Sequence, residues 1–186
     1  MRILQVITSL QTGGAEKIVV DLTRIMKARG HIVDVVVFNG VETPFMDDIR
    51  KTGCKVFSLS HGGSVYNPLH IFRLVGIMKK YDVVHSHNTS PQFFVAAANL
   101  LSSLPIVTTE HNTTNRRRNN PLWKPLDKWM YNRYKRIICI SDQAKQNLKE
   151  YLGHCNTPIN VIYNGVDVDL IYKSKPLTTQ LIFLYF

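Results

Sequence analysis

Three polar loops that follow predicted strands carry the side chains most suited to chemistry. The first holds a glycine pair, Gly13 and Gly14, just before a helix. The second begins at His87, and the third holds His111 among hydroxyl, amide and carboxylate groups. Because ligands of open α/β sheets bind beyond the carboxyl ends of the strands, we expect function in these loops.

The glycine loop is suited to an anion. Paired glycines at a helix N-terminus let backbone N–H groups approach a phosphate closely. The alternative is a plain turn and helix start, in which Glu16 complements the helix dipole. The loop lacks the third glycine of GxGxxG, and the second strand ends at residues 38–40 without a carboxylate for a ribose, which disfavours an NAD or FAD enzyme. The sequence GxxxxGK[ST] is also absent, which excludes a P-loop NTPase.

The fourth predicted strand places two histidines on one face. His85 and His87 are two residues apart and therefore project to the same side, with Ser86 opposite. A zinc site needs further ligands, and no carboxylate follows nearby, so we expect no metal. We expect His85 to pack in the core and His87 to face a ligand.

The run from Thr108 to Thr114 combines the donors and acceptors that bind sugar hydroxyls. Glu110, His111 and Asn112 are its candidate ligand contacts. Histidine titrates near neutrality and can donate or accept a hydrogen bond, so His111 is suited to orient a hydroxyl or relay a proton. The alternative is an inert histidine in a polar surface loop.

The elements that position these loops alternate between short β-branched runs and helical patterns, which predicts an α/β, Rossmann-like, doubly wound parallel sheet. The seven predicted strands are Ile3–Ile7, Ile32–Phe38, Lys55–Leu59, Asp82–His87, Ile106–Glu110, Arg136–Ile140 and Asn160–Tyr163. Predicted helices are an amphipathic one with an apolar face from Ala15 to Met26, then Thr43–Lys51, Pro68–Lys80, Pro91–Leu101, Leu122–Arg133 and one capped by Ser141 and ended by Gly153.

Composition limits the class of protein. The 186 residues are 45% hydrophobic and 19% charged, enough apolar content for a core and too much for a disordered chain. Three cysteines without a CxxC pair argue against a disulfide framework and fit a reducing cytoplasm. No apolar run reaches the roughly 18 residues of a membrane span, so we expect any membrane contact to be peripheral. The net charge of +10 attracts anionic partners.

Much of this charge lies in a basic segment, which we define as residues 116–136. Its aromatic residues alternate with cations, a pattern that suits an anionic bilayer surface or a lipid-diphosphate acceptor. The alternatives are a solvated helix with inward aromatics, or nucleic-acid binding, for which no recognised motif is present. We predict a membrane or lipid-acceptor patch made of Arg116, Arg117, Arg118, Trp123, Lys124, Lys128 and Trp129.

The chain after Tyr163 has a different texture. A polar stretch with little periodicity precedes an apolar hexapeptide. We expect residues 1–164 to form one domain, residues 165–180 a linker, and residues 181–186 the truncated first strand of a second domain. The alternative is a tail that pairs with the edge of the first sheet.

Several of these segments together resemble the N-terminal half of retaining glycosyltransferases of family 4, which have the GT-B fold. The resemblance runs in order through residues 1–186, and its motifs are GGAE at 13–16, RGHIVDVV at 29–36, DVVHSHN at 82–88, TEHN at 109–112, ICIS at 138–141 and VIYNGVD at 161–167. In that family NGVD precedes the interdomain linker. The hexapeptide 181–186 is similar to the strand that opens the second domain.

The resemblance implies specific roles. Gly13 and Gly14 would lie beside the donor diphosphate, His111 against the transferred sugar, and His87, with Glu110 and Asn112, on the acceptor side. Family members use UDP-, GDP- or similar sugars, with no cofactor and no obligatory metal. Their Arg/Lys pair and ExxxxxxxE carboxylate belong to the second domain, so we expect this chain alone to be inactive. The rival function is a non-catalytic basic module that binds anionic lipid, glycan or nucleic acid.

Overall fold

A computed structural model describes residues 1–61, 64–113 and 116–165. Its strands are β1 (Arg2–Ile7), β2 (Ile32–Asn39), β3 (Val56–Ser60), β4 (Val83–His87), β5 (Ile106–Glu110), β6 (Arg136–Cys139) and β7 (Ile159–Val161). Its α-helices are α1 (Gly14–Ala28), α2 (Pro44–Lys51), α3 (Leu69–Met78), α4 (Thr89–Ser102), α5 (Lys124–Asn132) and α6 (Asp142–Leu152), with 3₁₀ turns at Arg116–Asn119 and Pro121–Trp123. The predicted linker from 166 onward and the predicted strand 181–186 lie outside the described residues.

Within the described residues, seven strands form one parallel sheet in the order β3-β2-β1-β4-β5-β6-β7. The order reverses between β1 and β4, which places the carboxyl ends of β1, β4 and β5 side by side. Helices pack on both faces, because parallel strands that are apolar on both sides must be covered on both sides. The predicted Rossmann-like, doubly wound architecture is therefore confirmed.

The two faces are covered unequally. α1 and α2 bury the face that carries Ile3 and Ile7, whereas α3 to α6 pack on the face that carries Leu4 and Val6. On the first face, a cleft of about 590 Å³ lies between α1 and residues of β4, β5 and β6. The apolar face predicted for α1 is consequently only partly buried, and Ile25 beside the cleft is 50% exposed.

Local signals set the helix ends as predicted in most cases. The Ser141 hydroxyl accepts a hydrogen bond from the backbone N–H of Ala144, and Gly153 ends α6 with a positive φ of 66°. The predicted continuous helix Leu122–Arg133 is instead a 3₁₀ turn followed by α5. Prolines at 121 and 125 explain the difference, because proline fits only the first turn of a helix.

Candidate functional site

The three loops of interest meet at one edge of the sheet. The glycine loop follows β1, His87 is the last residue of β4, and His111 follows directly after β5. Because β1, β4 and β5 are adjacent and parallel, their carboxyl ends lie at the same edge. The candidate site is therefore built from strands that neighbour in space although they are far apart in the sequence.

The glycine pair opens α1. Gly13 is the N-cap residue, in extended backbone, and its carbonyl accepts a hydrogen bond from the Lys17 N–H at 3.0 Å. A Cβ built on Gly13 would lie 2.2 Å from Oε2 of Glu16, so this carboxylate folds back over the helix start. At Gly14, by contrast, an added Cβ would meet nothing within 4 Å apart from its chain neighbours and the backbone of its own helix turn. The anion-binding role of the glycine pair stays a prediction. The structure adds that the Glu16 carboxylate lies next to Gly13.

The histidines predicted to share a face form a connected cluster. His87 Nδ1 lies 2.9 Å from His111 Nε2, and His87 Nε2 lies 2.7 Å from Oε1 of Gln5. The ring of His85 packs against that of His87 with centroids 4.1 Å apart and a tilt of 41°, and its Nε2 lies 2.8 Å from the Thr109 hydroxyl. His85 is 6% exposed and borders the cleft beside α1, whereas His87 is 0% exposed and both of its ring nitrogens have partners. The expectation that His87 rather than His85 faces a ligand is therefore corrected, because the β1 glutamine and the β5 loop histidine cover His87.

Burial keeps these histidines neutral. Desolvation, followed by the nearby charge of His111, lowers the pKa of His85 to about 3. Desolvation also holds the pKa of His87 well below its ordinary value and lowers the pKa of His111 to about 4. In the described residues, no three His, Cys, Asp or Glu side chains are grouped so that they could hold a metal ion. The cluster is therefore arranged for hydrogen bonding between neutral rings.

Two predicted neighbours of His111 have different environments. Glu110 is 3% exposed, accepts a hydrogen bond from the Tyr131 hydroxyl, and lies 3.2 Å from the Arg118 guanidinium. Its carboxylate is thus bound within the helical layer rather than beside the histidine rings. Asn112 is exposed at the rim. Of the two, Asn112 is the one available to a ligand.

The basic segment is divided between interior and surface. The ion pairs Arg118–Glu110 and Arg117–Asp127 hold both arginines against nearly buried carboxylates. Trp129 packs on Phe93 with ring centroids 6.1 Å apart.

The surface part of the segment is smaller than the predicted patch. Leu122 and Trp123 are 82% and 42% exposed, Lys124 is exposed and Lys128 is half-buried. The side chain of Arg116 lies outside the described residues. Arg117 and Arg118, which the predicted patch includes, are therefore committed to internal ion pairs, and the lipid-binding role now depends on 122–124 and Lys128.

Gln5 is the site residue that the sequence interpretation missed. It is completely buried in an apolar strand and contacts His87 across the sheet. The sequence did contain a signal, namely a glutamine in the middle of an otherwise apolar strand. A glutamine that is buried there needs a polar partner. The partner itself is 82 residues away and could not be inferred from the pattern of β1.

The cleft beside α1 reaches the histidine cluster. His85 and Thr109 line it together with apolar residues of α1 and β6, including Ile25 and Ile138. Its other border is the segment 162–165. In the part of the chain that the structure describes, no helix is long and apolar enough to span a membrane.

The family of the chain follows from comparison with known proteins. The sequence model of glycosyltransferase family 4 matches residues 12–170, which include the glycine loop, both histidine loops and the basic segment. The chain belongs to glycosyltransferase family 4. The resemblance noted from the motifs is therefore confirmed.

Similar proteins agree with this family. The chain is 27% identical over 164 residues to a phosphatidyl-myo-inositol mannosyltransferase of Mycobacterium tuberculosis, covering 84% of this chain and 42% of that protein. It is 26% identical over 182 residues to the putative glycosyltransferase EpsF of Bacillus subtilis, covering 91% and 46%. The family 4 chain thus spans less than half the length of these curated relatives.

Solved structures show the same fold. HepE of Anabaena, in complex with UDP-glucose, has a TM-score of 0.75 at 22% identity, covering 95% of this chain and 47% of that one. The lipopolysaccharide outer core galactosyltransferase WaaB, in its apo form, has a TM-score of 0.65 at 16% identity, covering 90% and 47%. Nearly the whole of this family 4 chain therefore matches about half of each of these proteins.

Proposed function

We propose that this chain is the acceptor-side domain of a retaining glycosyltransferase that transfers a sugar from a nucleotide-sugar donor to a saccharide or lipid-linked acceptor. The observation that supports this most is the position of the glycine loop and the His87–His111 pair at one edge of the sheet in a family 4 chain. A UDP- or GDP-sugar is the proposed donor. The proposed setting is polysaccharide or glycolipid assembly at the inner face of the cytoplasmic membrane.

The start of α1 is the proposed binding place for the donor diphosphate. The first N–H groups of a helix lack intrahelical partners, and the helix dipole favours negative charge there. The space at Gly14 allows close approach of a phosphate. The Glu16 carboxylate that covers Gly13 would repel the same phosphate, so donor binding requires this side chain to turn away.

His111 and Asn112 are the proposed contacts to the sugar and the acceptor. His87 positions His111 through the hydrogen bond between their rings. We assign no acceptor contact to Glu110, because its carboxylate is bound to Tyr131 and Arg118. Transfer also needs fixed cations that stabilise the departing diphosphate. The resemblance assigns these to a second domain, so we propose that the isolated chain binds nucleotide weakly and does not turn over, and that transfer needs no metal.

Replacing Gly14 with alanine tests the proposed diphosphate contact. We expect Gly14→Ala to keep or raise stability by about 0.5–1 kcal/mol, because the helix gains a better former and the position has space. Binding of UDP and GDP should nevertheless weaken, because the added methyl group separates phosphate and backbone. Calorimetry and amide chemical shifts on the 186-residue chain measure both effects.

The matched control is Gly76→Ala in α3, which is the same exchange at another open helical position. It should leave nucleotide binding unchanged. Equal binding by the Gly14→Ala and wild-type chains would argue against a diphosphate at α1. Tight binding of UDP or GDP by the isolated 186-residue wild-type chain would contradict the proposal that half of the nucleotide site is missing.

Membrane contact is proposed through the exposed residues 122–124. Replacing Lys124 with glutamine should reduce binding to anionic vesicles roughly fivefold at low salt, because each cation near such a surface contributes about 1 kcal/mol. Vesicle co-sedimentation measures the effect.

Lys80→Gln is the control for this change. Lys80 is exposed and precedes β4, so it lies on the side of the sheet formed by the amino ends of the strands, away from residues 122–124. Equal losses for the two variants would indicate general charge attraction rather than a patch. Vesicle binding that does not change with salt would contradict an electrostatic contact. Strong vesicle binding without any nucleotide binding would favour the non-catalytic lipid-binding module instead.

A further inference from the structure

Gln5 is a buried amide in a strand that is otherwise apolar at its centre. It is 0% exposed, as are its neighbours Leu4 and Val6. A buried amide without hydrogen bonds is costly, so the orientation of its two polar atoms is informative. In the structure both atoms face a possible partner, one on α1 and one on β4.

The two partners of Gln5 decide which way the amide points. Its nitrogen lies 3.7 Å from the sulfur of Met26, and its oxygen lies 2.7 Å from Nε2 of His87. A thioether sulfur can only accept a hydrogen bond, so the amide nitrogen belongs on that side. The amide oxygen then faces His87, and because oxygen can only accept, His87 Nε2 must carry the proton.

The proton on His87 Nε2 also fixes the proton positions on the other ring nitrogens of His87 and His111. A neutral imidazole has one protonated nitrogen, so His87 Nδ1 is an acceptor. His111 Nε2, at 2.9 Å, must therefore donate to it. His111 is then left with an unprotonated Nδ1, which is buried and has no hydrogen-bond partner among the described residues.

We propose that Gln5 is a positioning residue that fixes, through His87, the tautomer of His111 in which Nδ1 is the hydrogen-bond acceptor. The proposal concerns a chain of two hydrogen bonds, Gln5–His87–His111, which we call the histidine relay. If the proposed function holds, the relay makes His111 accept a hydrogen bond from a hydroxyl of the bound sugar rather than donate one. A buried acceptor without a partner costs free energy, and a sugar hydroxyl would satisfy it once the loop after β5 moves enough to admit the sugar to Nδ1.

The wild-type chain provides the first test without any substitution. The ¹⁵N chemical shifts of the histidine rings separate protonated from unprotonated nitrogens. At pH 7 we expect a proton on Nε2 of both His87 and His111 and none on either Nδ1. A proton on Nδ1 of His111 in the wild-type chain would overturn the proposal.

Gln5→Leu provides the sharper test, because it removes the amide oxygen that accepts from His87 Nε2. Without this acceptor, no group on β1 favours a proton on His87 Nε2, and the reversed arrangement, in which His87 Nδ1 donates to His111 Nε2, becomes accessible. We therefore expect part of the His111 population to carry its proton on Nδ1.

Gln92→Leu is the matched control. Gln92 is also buried, but its amide contacts Thr108, which projects from the face of the sheet opposite to His85 and His87. It should leave the tautomers of both histidines unchanged. A His111 tautomer that is unchanged in folded Gln5→Leu protein would overturn the proposal that Gln5 sets it, and if that variant does not fold, the wild-type spectrum decides.

Different results would contradict the histidine relay and the proposed function. The ligand-free spectra decide the tautomer of His111 whether or not any nucleotide binds. Absence of UDP and UDP-glucose binding would contradict the function and leave the relay standing. If UDP-glucose binds, a change at His111 Nδ1 that UDP alone does not cause is the expected sign of a sugar hydroxyl at this atom.

Discussion

Replacing Arg118 with alanine is expected to destabilise the folded chain by about 3–5 kcal/mol, the usual loss when one partner of a buried ion pair is removed. The Arg118 side chain is 10% exposed and lies 3.2 Å from the carboxylate of Glu110, which is 3% exposed. The guanidinium also lies over the ring of Tyr151. Among the described residues, the hydrogen bond from Tyr131 is then the remaining side-chain partner of the buried carboxylate. Chemical denaturation measures the loss.

Arg133→Ala is the matched control, because Arg133 belongs to the same basic segment and is exposed. Its replacement should change stability by less than about 0.5 kcal/mol. The double variant Glu110→Gln/Arg118→Met should lose less than Arg118→Ala, since it removes both charges. Equal stability of the Arg118→Ala and Arg133→Ala proteins would show that the interior ion pair does not form.

Stability of the folded chain should fall as the pH is lowered from 7 to 5. In the unfolded chain histidine titrates near pH 6.5. In the folded chain, desolvation holds the pKa of His87 well below this value and lowers that of His85 to about 3. Below pH 6.5 the unfolded state therefore binds more protons than the folded state, and protonation favours unfolding.

The expected size follows from the number of buried rings. Each histidine that is neutral when folded and charged when unfolded contributes up to about 1.4 kcal/mol per pH unit, and the pKa of His111 is also lowered, to about 4. His85, His87 and His111 together therefore predict a slope of roughly 3–4 kcal/mol per unit between pH 6 and 5. Urea denaturation at several pH values measures it. The control is His154→Gln, an exposed position whose replacement should not change the slope. Stability that is constant or rises toward pH 5 would contradict buried neutral histidines.

Much of the architecture was predictable because it depends on local patterns. Alternation over two residues placed His85 and His87 on one face, and the hydroxyl of Ser141 and the positive φ of Gly153 set the ends of α6. Seven β-branched runs separated by helical patterns predicted the parallel sheet, since such strands are buried on both sides. The remaining errors at strand and helix ends are one or two residues.

The basic segment shows where composition is insufficient. Its charge predicted an outward patch, yet Arg117 and Arg118 pair with Asp127 and Glu110 in the interior. Sequence gives the number of cations but not the direction of each side chain. That direction depends on which carboxylates the neighbouring strand and helix bring within reach, and these lie 8 to 10 residues away along the chain.

By itself, the sequence determined the fold class, the order of the elements and the family, because these are carried by periodicity and by short motifs. Only the tertiary structure decided which polar groups touch. The strand order sets β1 beside β4 and β4 beside β5, so Gln5 meets His87 and His87 meets His111 across 82 and 24 residues. Hydrogen bonds act over about 3 Å, and no local pattern specifies a contact of that range between distant segments.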